Sequence, residues 1–217
     1  MPHPFDLSVY LVTDPRLTEA RGLIETVEQA VAGGATLVQL RDPDAKGRAL
    51  AEQARALLDV LAPKGIPLII NDRVDVAAAV GAQGVHLGQD DLDPAAARAL
   101  LGPQAIIGLS IGTLDELTAS NLAPVDYVGC GPIKATGTKS DAGSAIGLEG
   151  FAFLRAHIHL PMVGIGGLAL EDAADVIRAG ADGVAVVSAL CAAPDVMSAA
   201  AHLRAAVKAA RAEGRSA

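Results

Sequence analysis

A strand-sized apolar run recurs eight times along this chain, and helix-forming segments fill the gaps between the runs. The runs cover residues 9–13, 37–41, 67–71, 84–88, 106–110, 127–131, 162–166 and 183–188. Each is short and rich in Val, Ile and Leu, the signature of a strand buried on both faces. Residues 47–61 carry apolar side chains at helical spacing among Glu52, Arg55 and Asp59. Residues 170–179 read as a second helix, with Glu171 and Asp172 at its start and Arg178 near its end, as the helix dipole favours. Strands alternating with helices imply parallel βαβ units, and eight of them imply a closed (β/α)8 TIM barrel. An open doubly wound sheet is the structural rival. The Gly-rich turn that would support it is missing, because Thr13-Asp14-Pro15-Arg16 follows the first run.

A small-residue phrase precedes several runs: Ala32-Gly33-Gly34-Ala35, Val80-Gly81-Ala82 and Ala179-Gly180-Ala181. Glycine there can take the left-handed conformation that ends a helix. With no linker and no charge run, residues 1–217 read as one barrel domain, its last dozen residues fraying from a helix into a tail.

Composition narrows the function. Apolar residues make up 51% of the chain and aromatic residues 2%. So few aromatics argue against stacking on single-stranded nucleic acid, and a net charge of −8 argues against duplex DNA. An acidic protein that binds phosphates needs a metal or local N–H groups to do so. Cys130 and Cys191 match no metal spacing and read as small buried hydrophobes in a reducing compartment. No basic-then-apolar leader is evident and no apolar stretch is long enough to span a bilayer, so the expectation is a cytoplasmic protein without membrane contact. A homo-oligomer is left open.

In such a barrel the active site forms at the C-terminal ends of the strands. Gln39 and Arg41, two apart on one strand face, end the second run. Asn71 and Asp72 end the third, Gln89-Asp90-Asp91 follow the fourth, and Ser110 ends the fifth. The sixth run opens a long loop over residues 131–147 that carries Thr136, Thr138 and Lys139. Gly166-Gly167 end the seventh run and Ser188 the eighth, and these two loops form the usual phosphate site of this architecture. A glycine pair that simply makes a turn is the plainer reading of Gly166-Gly167. Asp72 and Asp91 are carboxylates of the kind Mg²⁺ takes together with diphosphate oxygens. Helix capping explains Asp91 and Asp93 equally well, since Pro94 follows. His86 reads as a hydrogen-bonded core residue and His157 and His159 as exposed. No Ser-His-Asp or Cys-His arrangement is evident.

Taken together, Val38-Gln39-Leu40-Arg41, Ile70-Asn71-Asp72-Arg73, Gly84-Val85-His86-Leu87-Gly88-Gln89 with Asp91, Thr136-Gly137-Thr138-Lys139, Gly164-Ile165-Gly166-Gly167 and Val184-Ala185-Val186-Val187-Ser188 resemble the thiamine-phosphate synthases. The resemblance runs from about residue 10 to 190. It implies a transferase that joins 4-amino-2-methyl-5-(diphosphooxymethyl)pyrimidine to thiazole phosphate with Mg²⁺ as cofactor, giving thiamine phosphate and diphosphate. It further implies that Gln39, Arg41, Asn71, Ser110 and Lys139 contact the pyrimidine diphosphate. Asp72 and Asp91 would hold Mg²⁺, and Thr136, Thr138, Gly167, Val187 and Ser188 the thiazole phosphate. Arg41, Lys139 and Ser110 would carry the catalytic weight. The chain departs from the family's pattern at Pro43, where Lys is usual; Lys46 and Lys134 are the nearest substitutes, or else ordinary solvated lysines. A thiazole tautomerase, a non-catalytic binder of thiamine phosphate, and another phosphate-binding barrel are the competing readings.

Overall fold

The computed structural model describes residues 3–137 and 143–214. Its strands are β1 (Val9–Val12), β2 (Leu37–Leu40), β3 (Leu68–Asn71), β4 (Gly84–Leu87), β5 (Ile106–Ile111), β6 (Tyr127–Cys130), β7 (Met162–Ile165) and β8 (Gly183–Val186). They pair in parallel in sequence order and close with β8 on β1, so the (β/α)8 TIM barrel expected from the apolar runs is the observed architecture.

The helices are α1 (Pro15–Thr18), α2 (Leu23–Gly33), α3 (Gly47–Leu61), α4 (Val74–Val80), α5 (Pro94–Leu101), α6 (Leu114–Ala119), α7 (Gly147–Arg155), α8 (Ala173–Arg178), α9 (Ser188–Cys191) and α10 (Val196–Gly214). The helix expected over 47–61 is α3. The one expected over 170–179 divides into a 3-10 turn, Leu170–Asp172, followed by α8. Asp172 explains the division: its carboxylate accepts from Ala169 N–H and pairs with Lys134 at 2.6 Å, which fixes the entry to the helix. Among the described residues, no helix is long and apolar enough to cross a membrane.

Strand alternation sorts the core into two shells. Outward residues such as Val9, Leu11, Val38, Ile70, Val85 and Val128 pack under the helices. Inward residues, among them Leu37, Ile69, Ile106, Val163 and Ala185, fill the barrel around Tyr10 and Tyr127. Gly34, Gly81 and Gly180 end their helices with φ of +113°, +71° and +104°, as the recurring phrase requires. Both cysteines are buried and unpaired, and burial raises the Cys130 thiol to about 12 and Cys191 to about 11.

Closure depends on close backbone approach at β8. A Cβ on Gly183 would run into the Leu7 carbonyl. Gly183→Ala is therefore expected to destabilise the barrel by ~3 kcal/mol, as overpacking in a tight core does. The melting temperature should then fall by about 2–4 °C for each kcal/mol in a chain of this size. A thermal melt unchanged from the parent would show that the β8–β1 seam yields.

Candidate active site

The C-terminal ends of the strands surround one open cavity of about 810 Å³. Gln39 and Arg41 reach it from β2, Asn71 and Asp72 from β3, and Asp91 from the turn after β4. Ser110 enters from β5, Thr136 from the loop after β6, Gly167 from the end of β7, and Val187 and Ser188 from the end of β8. Every described candidate thus lies on the same cavity, although the residues are spread over most of the chain. Thr138 and Lys139 lie outside the described residues.

Local bonds set the walls. The Arg41 backbone is clasped by Thr13, whose hydroxyl accepts from Arg41 N–H at 3.0 Å and donates to Arg41 C=O at 3.4 Å. Asp72 has φ of +60°, a left-handed conformation that few non-glycine residues adopt but that Asp tolerates better than most. Its N–H donates to His86 C=O at 2.9 Å, tying the ends of β3 and β4, and Asn71 Nδ2 donates to its carboxylate at 2.6 Å. Asp91 accepts from Gly88 N–H at 2.7 Å, whereas Asp93 caps α5 through Ala95 N–H and Ala96 N–H. The capping explanation therefore holds for Asp93, and Asp91 instead closes the turn over the cavity. Gln89 donates to Ser110 C=O at 2.7 Å and braces the end of β5.

Gly166 and Gly167 have φ of +95° and +65°. A Cβ on Gly167 would lie 2.7 Å from Ala135 C=O and 2.8 Å from Lys134 Cβ. These glycines do make a turn, and they also let the loop after β6 lie flat against β7. Among the described residues, no group accepts from the N–H of Gly167 or of Ser188. Two backbone donors on the rim are thereby available to an anion.

Asp72 and Asp91 are hard oxygen donors on one cavity. Among the described residues, no cluster of three or more His, Cys, Asp or Glu is placed to hold a metal. Two carboxylates with substrate phosphate and water suffice for Mg²⁺, which seldom takes a cage made of protein alone. Lys134 does not line the cavity and is held by Asp172, while Lys46 is exposed just ahead of α3. Pro43 itself lines the cavity, so the departure from the family's pattern falls on the site.

His86 is a hydrogen-bonded residue of the barrel, as expected, with partners on both ring nitrogens, and it also lines the cavity. His157 and His159 are exposed. Sequence reasoning missed Tyr10, which forms part of the cavity wall, and Tyr127 behind it. The available signal was their scarcity: these are the two tyrosines of the chain, and both fall at inward-facing strand positions.

A family model described as thiamine monophosphate synthase matches residues 9–190. The thiamine-phosphate synthase of Azorhizobium caulinodans is 78% identical over 97% of this chain and the whole of that protein. That of Xanthobacter autotrophicus is 70% identical over the same shares. The solved thiamine phosphate pyrophosphorylase from Pyrococcus furiosus superposes with a TM-score of 0.85 at 36% identity, covering 94% of this chain and 96% of that one. By a match that spans all eight strands and by relatives similar along their full length, this chain belongs to the thiamine-phosphate synthase family.

Proposed function

We propose that this protein condenses 4-amino-2-methyl-5-(diphosphooxymethyl)pyrimidine with thiazole phosphate to give thiamine phosphate and diphosphate. The observation that carries the reading is the convergence of the described candidate residues on one cavity in a chain of this family. The bond from the pyrimidine methylene to diphosphate breaks, and its electron pair leaves with diphosphate. The electron-rich ring stabilises the methylene cation, and the thiazole nitrogen supplies the pair for the new C–N bond. No protein nucleophile is consumed.

The chain's part is to hold two anions in line and to favour departure of one of them. Arg41 and Lys139 supply the positive charge that offsets the diphosphate. Gln39, Asn71 and Ser110 orient the pyrimidine. The N–H groups of Gly167 and Ser188, with Thr136, Thr138 and Val187, seat the thiazole phosphate. Asp72 and Asp91 fit Mg²⁺, which when bound neutralises the leaving diphosphate. That arrangement also explains how a chain of net charge −8 accepts two phosphorylated substrates. The two carboxylates favour this reading over a tautomerase, which needs a base at the thiazole and no metal.

The test is diphosphate release by purified protein. Release should require both substrates together with Mg²⁺ and stop with EDTA. Thiazole phosphate binding without any release would replace the synthase reading with the tautomerase or the non-catalytic binder.

A further inference from the structure

Five polar side chains from five strands form an unbroken hydrogen-bond chain across the cavity floor. Gln39 Nε2 donates to the Tyr10 hydroxyl at 2.7 Å. The Tyr10 and Tyr127 hydroxyls lie 2.8 Å apart. The Tyr127 hydroxyl is 2.9 Å from His86 Nδ1, and His86 Nε2 is 2.9 Å from Ser110 Oγ. Gln39 and Ser110 line the cavity at the two ends of the chain.

The barrel gives up side chains to admit this chain. Gly108 on β5 and Gly129 on β6 face the barrel interior. A Cβ on Gly108 would collide with the Tyr127 ring and the His86 imidazole, and a Cβ on Gly129 would sit 2.9 Å from His86 Cε1. Glycine weakens a strand interior, so its presence here marks a required close approach.

Each phenol has one proton to donate, and burial holds both phenols protonated by raising their pKa values. The direction of every bond therefore follows from its neighbour. With Gln39 donating to Tyr10, the one arrangement that leaves neither buried phenol proton without an acceptor in this chain has Tyr10 donating to Tyr127 and Tyr127 donating to His86 Nδ1. A neutral imidazole then carries its proton on Nε2 and donates to Ser110. The Ser110 hydroxyl proton is left for a ligand, and so is the Gln39 carbonyl oxygen.

We propose that Tyr10, Tyr127 and His86 are positioning residues that lock the polarity of this chain. The cavity thereby offers an acceptor at Gln39 and a donor at Ser110, and the two cannot reverse independently. Resting on the synthase reading, the complement of that pair is an aminopyrimidine, which carries amino donors beside ring-nitrogen acceptors. A ring with a carbonyl in place of the amino group sets acceptor against acceptor at Gln39.

The test begins with ¹⁵N NMR of histidine-labelled protein without substrate, with the His86 signals assigned by their loss in His86→Gln. The expected spectrum is that of the Nε2–H tautomer. Tyr127→Phe and Tyr10→Phe, which keep the rings and remove only the hydroxyls, should each shift His86 toward a mixture of tautomers. An Nδ1–H tautomer in the parent, or a spectrum unmoved by Tyr10→Phe, overturns the proposal. In kinetics, each variant should raise KM for the pyrimidine diphosphate ~10-fold, about the effect of one hydrogen bond, and leave KM for thiazole phosphate unchanged. The double variant should match either single one, since a chain is broken only once; additive losses would mean two separate packing roles and overturn the coupling. Parent protein that releases no diphosphate refutes the synthase reading, and the NMR result still decides the polarity lock.

Discussion

Replacing Asp72 by Asn is expected to remove most diphosphate release while leaving the barrel folded. The side chain is the same size, and Asn is among the few residues that accept a left-handed backbone, here with φ of +60°. The backbone around it is pinned on both sides, by its N–H on His86 C=O at 2.9 Å and by Val74 N–H on its own C=O at 3.0 Å. The change therefore falls on charge. On the proposed metal site, losing one of two carboxylates would weaken the hold on Mg²⁺ where the diphosphate develops charge. A clamp of this kind contributes several kcal/mol to the transition state, so a fall of ~100-fold or more in kcat/KM is expected. Excess Mg²⁺ should recover part of it. Asp72→Ala is the poorer test, since Ala at this φ adds backbone strain that blurs charge with folding. Turnover of Asp72→Asn within a few-fold of the parent at limiting Mg²⁺ would remove Asp72 from the metal site.

The barrel was legible because its information is local and repeated. Each run from Val9 to the β8 valines is short, β-branched and followed by helical periodicity, and the turn glycines at 34, 81 and 180 mark the return into the sheet. The rim candidates were legible for a related reason: a polar residue at the end of an apolar strand has one place to go in this fold. Roles were harder. Asp91 and Asp93 look alike in sequence, and only the distances show that one closes the turn after Gly88 while the other caps α5. Lys134 stood as a substitute for the lysine that Pro43 displaces, but its ion pair with Asp172 is a contact between loops of different strands, which no local pattern reports. The floor was the least visible part. Tyr10 and Tyr127 are 117 positions apart and read individually as strand residues; their contact exists only after eight strands close. Gly108 and Gly129 read as weak points in strands until the imidazole and phenol that fill their space are in place.

Arg41→Ala is expected to cost more than its exposure on a cavity wall would predict. The Thr13 clasp on both backbone groups of Arg41 fixes where the side chain starts. The guanidinium has no ion pair among the described residues and lines the cavity, so its charge is uncommitted until an anion arrives. Arginine presents several donors in a rigid fork, suited to two phosphate oxygens at once. This chain also has Pro43 where the family's pattern carries Lys, and neither Lys46 nor Lys134 lines the cavity. On the proposed arrangement, one cation fewer at the leaving group would place a greater share on Arg41. Removing a charge-stabilising donor at such a position costs ~100- to 1000-fold in kcat. Arg41→Lys, which keeps the charge and loses the fork, should fall between the parent and the Ala variant. Steady-state diphosphate release under saturating thiazole phosphate checks both. Pro43→Lys in the Arg41→Ala background should then restore part of the rate if the deficit is one of positive charge at the diphosphate. If Arg41→Ala instead kept kcat and raised only KM for the pyrimidine substrate, Arg41 would be a ground-state anchor, and stabilisation of the departing diphosphate would fall to Lys139 and the metal.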